Sequence, residues 1–289
     1  MKLHLALVRN NQPLMVVFLF AFLFSSCTEV VDIDLQYEEN RLVIEASLDW
    51  KKGTTGKDQR IYLSRTTPYF ENSSARVINA QVTVINKNTG DEFTFTDLKN
   101  GLYIIDDFIP IIGDTYLLTV ISENQVYTAE ETMMSVPEFT RVEQSLEGGF
   151  VDDILEVTFY FDDPVDVPNY YLSYFHQEGA LLPYLREYSD EFTDGNELFH
   201  FYEKDDEDDE LGQTFKPGDV VDIRNYAISE GYYNYISLLL EQYYNGGSPY
   251  SAMPAKLRGN CVNKENPDNY AFGYFRATEF VQETFVFKE

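Results

Sequence analysis

Few side chains in this sequence could serve as a nucleophile or a base. The cysteines are Cys27 and Cys261, and the histidines are His4, His176 and His200. His4 belongs to an N-terminal leader. His176 and His200 each fall among aromatic residues in stretches that read as strands, where a histidine packs or faces solvent more often than it moves protons. Cys261 has no neighbour in sequence that would lower its pKa, so it reads as a buried, inert thiol. The spacings of a nucleophile elbow, a zinc-protease helix, a P-loop and a dinucleotide-binding loop are absent. Carboxylates number 49, so any chosen pair says little about glycoside hydrolysis. The expectation is a protein without catalytic residues, metal ligands or cofactor.

The residues with the clearest chemistry are Ser26 and Cys27. Lys2 and Arg9 give a basic start, Leu14 to Phe24 are eleven consecutive apolar residues, and Ser25-Ser26-Cys27 follow. This is the order of a secretory leader with small residues at its cleavage point. A cysteine directly after the cut resembles the lipobox of bacterial lipoproteins, whose thiol is acylated and becomes residue one. As a helix the apolar run spans about 16 Å, short of a roughly 30 Å hydrocarbon core, which argues against a permanent membrane span. The lipid then attaches at Cys27, and Cys261 has no disulfide partner. The alternative is a soluble secreted protein with a Cys27–Cys261 bridge. Thr28 stands where an Asp would signal inner-membrane retention in such lipoproteins, so the expected location is the outer membrane, at its periplasmic face or the cell surface.

Charge narrows the partners. The net charge is −28, and losing the leader's two basic residues takes the mature chain to −30. Such a field repels phosphate backbones, so nucleic acid is excluded. With 44% hydrophobic residues the chain can nevertheless bury a core. The densest acidic run is Asp205 to Glu210. It reads as a solvated loop tip, with calcium binding as the alternative; the spacing of an EF-hand loop is not met.

The elements that would position a site are mostly strands. Residues 27–40 form an acidic tether. From Arg41 the pattern has period two: Leu42, Ile44, Ala46 and Leu48 alternate with polar or exposed positions. Further strands are expected at Gln59–Arg65, Val77–Asn86, Phe93–Thr96, Leu102–Ile105, Thr115–Ser122 and Val126–Met133. Turn chemistry at Asn88-Thr89-Gly90, Asn100-Gly101 and Gly113-Asp114 separates several of them. This spacing predicts an immunoglobulin-like or transthyretin-like β-sandwich over residues 41–136, with Tyr116 placed as a tyrosine corner.

Val136-Pro137 is the expected joint to a second β-rich domain, residues 137–289. Its strands are expected at Thr140–Leu146, Ile154–Phe161, Tyr170–His176, Glu197–Glu203, Val220–Asn225, Lys256–Val262, Ala271–Ala277 and Phe280–Phe287. One helix is expected over about 229–245, capped by Ser229, ended by Asn245-Gly246-Gly247 and buried through Tyr232, Ile236, Leu239, Leu240 and Tyr243. Adjacent tyrosines such as Tyr170-Tyr171 and Tyr232-Tyr233 cannot both face one core, which leaves one of each pair for a seam or for ligand contact.

Several stretches taken together resemble a family. Tyr116-x-Leu118-x-Val120, Val126-Tyr127-x-Ala129, Ser229-Glu230-Gly231-Tyr232-Tyr233 and Gly246-Gly247-Ser248-Pro249 are four of them. Arg258-Gly259-Asn260, Asn266-Pro267-Asp268 and Gly273-Tyr274-Phe275 complete the series. In this order, behind a lipobox, they resemble the Bacteroidota lipoproteins grouped as the domain-of-unknown-function 4249 family. The resemblance implies an accessory lipoprotein working beside a TonB-dependent outer-membrane transporter, and it carries over no catalytic residue. Ligand capture for, or assembly with, such a β-barrel is therefore the leading expectation, the ligand being a small molecule, glycan or peptide. A surface adhesion or scaffold role is the alternative, and a glycan or peptide hydrolase ranks last.

Overall fold

Strand β1 (Leu42–Lys51) buries Leu42, Ile44, Ala46 and Leu48 and turns the residues between them the other way, as period two requires. The computed structural model to which it belongs describes residues 40–67, 75–204, 214–245 and 257–289. The leader, Ser26, Cys27, the tether to residue 39, the Asp205–Glu210 run, Gly246–Pro249 and Lys256 lie outside the described residues. The fold is mainly β with one helix.

β2 (Gln59–Arg65), β3 (Gln81–Asn86), β4 (Glu92–Thr94), β5 (Thr96–Asp97), β6 (Leu102–Ile105), β7 (Thr115–Ser122) and β8 (Gln125–Thr132) follow β1. After them come β9 (Phe139–Ser145), β10 (Glu156–Asp162), β11 (Tyr170–Gln177), β12 (Tyr184–Ser189), β13 (Glu197–Glu203) and β14 (Val220–Ile228). The helix α1 (Glu230–Asn245), β15 (Val262–Asn263) and β16 (Phe272–Val286) close the chain. An eight-stranded sheet runs β12-β11-β14-β16-β1-β2-β6-β5, beside a five-stranded sheet β15-β8-β7-β3-β4 and a three-stranded sheet β13-β10-β9.

The large sheet is covered on both faces. One core joins Ile44, Leu48 and Ile61 of the large sheet to Val84, Leu118 and Val120 of the five-stranded sheet. A second joins Tyr171, Phe175 and Ile223 to Phe159 and Phe161 of the three-stranded sheet. On the opposite face, Leu172, Tyr226 and Phe280 meet Ile236 and Leu240 of α1. Tyr170 and Tyr171 thus point to different cores, Tyr170 lying on Tyr233 of the helix at 5.1 Å. Tyr171 is fully buried and Tyr170 is half-buried against the helix, because both faces of the sheet are covered there.

The expected corner at Tyr116 is present. Its side chain is fully buried, its hydroxyl donates to the Ile109 carbonyl at 3.1 Å and accepts from the Ile111 amide at 2.8 Å. The link fastens the β6–β7 connection to the core. Gly90 closes the β3–β4 hairpin at φ 84°, a conformation a side chain would resist.

Four local expectations need correction. The strands expected at Ala271–Ala277 and Phe280–Phe287 are one strand, β16. The break suggested by Thr278-Glu279 is absent because both are buried and satisfied: Thr278 donates to the Ala227 carbonyl, and Glu279 accepts from the Val136 amide at 3.1 Å and pairs with Lys52 at 3.5 Å. Of the strand expected at Lys256–Val262, only Val262 enters β15; the backbone before it is irregular where Asn260 bonds to β16. β12 had no signal, since Tyr-Leu-Arg-Glu-Tyr-Ser puts charges mid-strand; its order comes from pairing with β11. Finally, α1 buries a narrower face than expected. Ile236 and Leu240 are covered, while Leu239 and Tyr243 are 39% and 58% exposed.

One substitution tests the corner and another the centre of the sheet. Tyr116→Phe should lower unfolding free energy by about 1–3 kcal/mol through two unmade hydrogen bonds. Gly273, at φ 86° with the Ile44 carbonyl where a side chain would go, should tolerate Ala worse, at roughly 2 kcal/mol or more. Urea midpoints at constant m-value check both.

Candidate functional site

Among the described residues, Cys261, His176 and His200 are each packed or hydrogen-bonded within the fold. Cys261 is 3% exposed within the first core, and burial pushes its thiol up to about 12. His200 stacks on Tyr188 at 3.7 Å and on Phe159 at 5.9 Å, and burial holds its imidazole neutral, down to about 3, helped by the nearby Arg186 charge. His176 is tied through Nε2 to the Ala180 carbonyl at 3.0 Å. Among the described residues, none of these side chains forms a nucleophile–base pair with another.

What the fold does bring together is a set of stretches far apart in sequence. Ser229 caps α1: its Oγ accepts from the Tyr232 amide at 3.1 Å. Asn260 lies along β16 and mimics a strand, its Oδ1 accepting from the Phe275 amide at 2.9 Å and its Nδ2 donating to the Phe275 carbonyl at 2.8 Å. Tyr274 faces the helix, its ring 5.0 Å from both Tyr232 and Tyr235. Its hydroxyl donates to Glu131 of β8 at 2.9 Å. Glycines permit this crowding: a side chain on Gly259 would meet the Gly273 carbonyl, and one on Gly231 would meet the Tyr274 hydroxyl.

Glu131 sits at the centre of this meeting point. Burial raises its carboxyl above the usual carboxylate range, and donors at Ser229, Tyr274 and Asn260 pull it partly back. Sequence reading passed over it, although a signal existed. Tyr127, Ala129 and Glu131 share the inward face of one strand, and a carboxylate in that register needs partners. Beside it runs a groove of about 330 Å³, lined among others by Tyr235, Leu238, Leu257, Arg258 and Tyr274.

A second cluster is acidic. Asp163, Asp190 and Asp194 place carboxylate oxygens within 4.8 Å of one another, an oxygen set of the type that hard cations take. Its hydrogen bonds show a structural task. Asp163 accepts from the Tyr171 hydroxyl at 2.6 Å and the Gly195 amide at 3.0 Å, Asp190 from the Asn169 amide at 2.9 Å, and Asp194 from the Asp166 amide at 3.1 Å. These bonds clasp the β10–β11 loop to the β12–β13 loop. Burial raises the Asp163 carboxyl, with the Tyr171 and Gly195 donors opposing. The sequence showed Asp163 only as part of a turn. Asp190 and Asp194 carried no pattern, since their partners lie twenty or more residues away.

Comparison with known proteins gives a family and little else. Residues 28–284 match the family described as Domain of unknown function (DUF4249). No curated protein matches. Among solved structures, a two-fibronectin-type-III segment of chicken tenascin is 10% identical over 59% of this chain and 85% of that one, at TM-score 0.20. A DUF4785 family protein from Legionella pneumophila is 12% identical over 64% and 51%, at 0.24. The FN1–FN3 domains of chicken CNTN1 are 10% identical over 64% and 62%, at 0.25. At these TM-scores the likenesses carry no argument.

Both sealed groups have measurable consequences. Cys261 should resist alkylation at neutral pH in the folded protein and react fully in denaturant. His200 binds its proton only near pH 3 when folded but near its ordinary value of 6.5 when unfolded. Between those values the unfolded state holds more protons, so this residue makes stability fall as pH falls. Glu131 and Asp163, raised in the folded state, act in the opposite sense. The stability of the wild type relative to His200→Phe should therefore decrease steadily from pH 7 to pH 4; a pH-independent difference would refute the assignment.

Proposed function

The chain belongs to the DUF4249 family, and we propose that it is a non-enzymatic outer-membrane lipoprotein that serves a TonB-dependent β-barrel transporter as a ligand-capture or assembly partner. The observation that carries this reading is the leader, in which the apolar run Leu14–Phe24 is followed by Ser25-Ser26-Cys27. Acylation of Cys27 supplies what the acidic body lacks, an attraction to the membrane: two or three acyl chains anchor stably where one holds weakly. Twelve residues separate Cys27 from Asn40, and the thirteen Cα steps between the two reach at most about 45 Å.

The geometry favours binding over catalysis. Cys261 is sealed, His200 is stacked and neutral, and Glu131 and Asp163 are committed to hydrogen bonds that hold loops and helix in place. The groove beside α1 offers rings and polar groups without a reactive pair. A second reading, adhesion or scaffolding at the surface, draws on the outer face of the three-stranded sheet. There Phe150 and Phe199 are 79% and 55% exposed.

Cys27→Ala should move the protein from the detergent phase to the aqueous phase on phase separation, and the wild-type N-terminal peptide should carry fatty acid by mass spectrometry. Gentle detergent extraction of the wild type should bring down a large β-barrel. A wild type that partitions into water overturns the anchor, and repeated isolation without a barrel overturns the partner.

A further inference from the structure

The groove beside α1 is lined by a cation, Arg258, and by no carboxylate among the described residues. In this acidic chain Arg65 pairs with Glu123, Arg141 with Glu197, Arg224 with Asp222 and Arg276 with Asp49. Arg258, like Arg60, Arg76 and Arg186, has no carboxylate partner among the described residues, and of these four it alone lines this groove. Its guanidinium instead lies 4.0 Å over the Tyr270 ring, and that ring is 6% exposed, with the Arg41 guanidinium 4.1 Å away. The exposed Arg258 side chain thus lines the groove while its guanidinium stacks on a buried ring, a contact that leaves the fork's N–H edges open to an acceptor. Asn260 cannot satisfy it, because its amide is already spent on Phe275 and Glu131. The Glu131 carboxylate is engaged by Tyr274 and Asn260.

The rest of the wall is apolar or aromatic. Tyr235 and Tyr274 lie 5.0 Å apart at 45°, and Leu238 and Leu257 flank them, with exposed Asn234 at the rim. A volume of about 330 Å³ suits a ligand of amino-acid size. We propose that this groove binds a small organic acid, its carboxylate on Arg258 and its apolar body against Tyr235, Tyr274 and Leu238. A planar carboxylate matches the guanidinium fork in two parallel hydrogen bonds, a match that a neutral ligand lacks. The inference rests on the ligand-capture part of the proposed function and names the class of ligand.

The test is calorimetric titration of the full lipidated chain in detergent with N-acetyl-phenylalanine, N-acetyl-leucine, their amides and inorganic phosphate. At least one acid should bind, its amide about tenfold or more weakly, and phosphate not measurably. Arg258→Gln should cost the acid about tenfold in affinity while Arg186→Gln, an exposed arginine elsewhere, leaves it unchanged. Equal binding of acid and amide overturns the proposal, as does unchanged affinity in Arg258→Gln, phosphate binding as tight as the acid, or no binding by either acid at about 10 mM. If Arg258→Gln does not fold, the acid–amide comparison on the wild type decides alone. Detergent partition and barrel co-purification do not depend on Arg258, so failure here is distinguishable from failure of the anchor or partner.

Discussion

The pairing of β16 with β1 on one side and β14 on the other is the constraint on which the remaining structure depends. Phe272–Phe280 run parallel to β1 from Val43 to Lys51, and Phe280–Val286 run antiparallel to β14. The last strand thereby inserts into the middle of an eight-stranded sheet begun by the first. Phe275 and Ala277 complete one core, Val281 and Phe280 two others. Burying such side chains contributes about 1.5–3 kcal/mol for each large one. The larger effect is topological, because without β16 the strands before Val136 and those after it share no ladder in the large sheet. A parallel pair needs a long connection, and here the connection is most of the chain.

Aromatic residues serve this arrangement in a particular way. A tyrosine can bury its ring and still offer a polar end. Tyr103 donates to the Val77 carbonyl at 3.1 Å, Tyr116 holds the 109–111 segment, Tyr171 reaches Asp163, and Tyr274 reaches Glu131. For Tyr103, Tyr116 and Tyr171 a ring in a core fixes a loop or carboxylate at its edge, and Tyr274 does the same from beside the helix. The abundance of tyrosine thus has a structural use in the described residues. Buried acids are part of the same device: Glu131, Asp163 and Glu279 are tolerated inside because each accepts several hydrogen bonds.

This economy of polar groups bears on function. Among the described residues, Cys261, His200, Glu131 and Asp163 are engaged in packing or hydrogen bonds that hold the fold. The groove at α1 is built where helix, β8, β16 and the 257–260 segment converge, so its wall is rigid, and its cation stacks on a buried ring. Preorganisation of that type lowers the ordering cost of binding.

Local patterns in the amino-acid sequence determined much of the outcome. The alternation in Leu42–Leu48, the glycine turns, the Ser229 cap and the place of Tyr116 depend on neighbours within a few residues, and physical rules for strands, turns and caps act at that range. The excess of acid over base is likewise read from composition alone. Tertiary structure alone decided which strands share a sheet, because hydrogen-bond partners such as Val43 and Phe272 are separated by nearly the whole chain. It decided that β12 is a strand, that α1 buries Ile236 and not Leu239, and that Arg258, Tyr235 and Tyr274 face one groove. Those outcomes follow from which surfaces remain to be covered after the long-range pairing has formed, and no window of sequence contains both partners of such a contact.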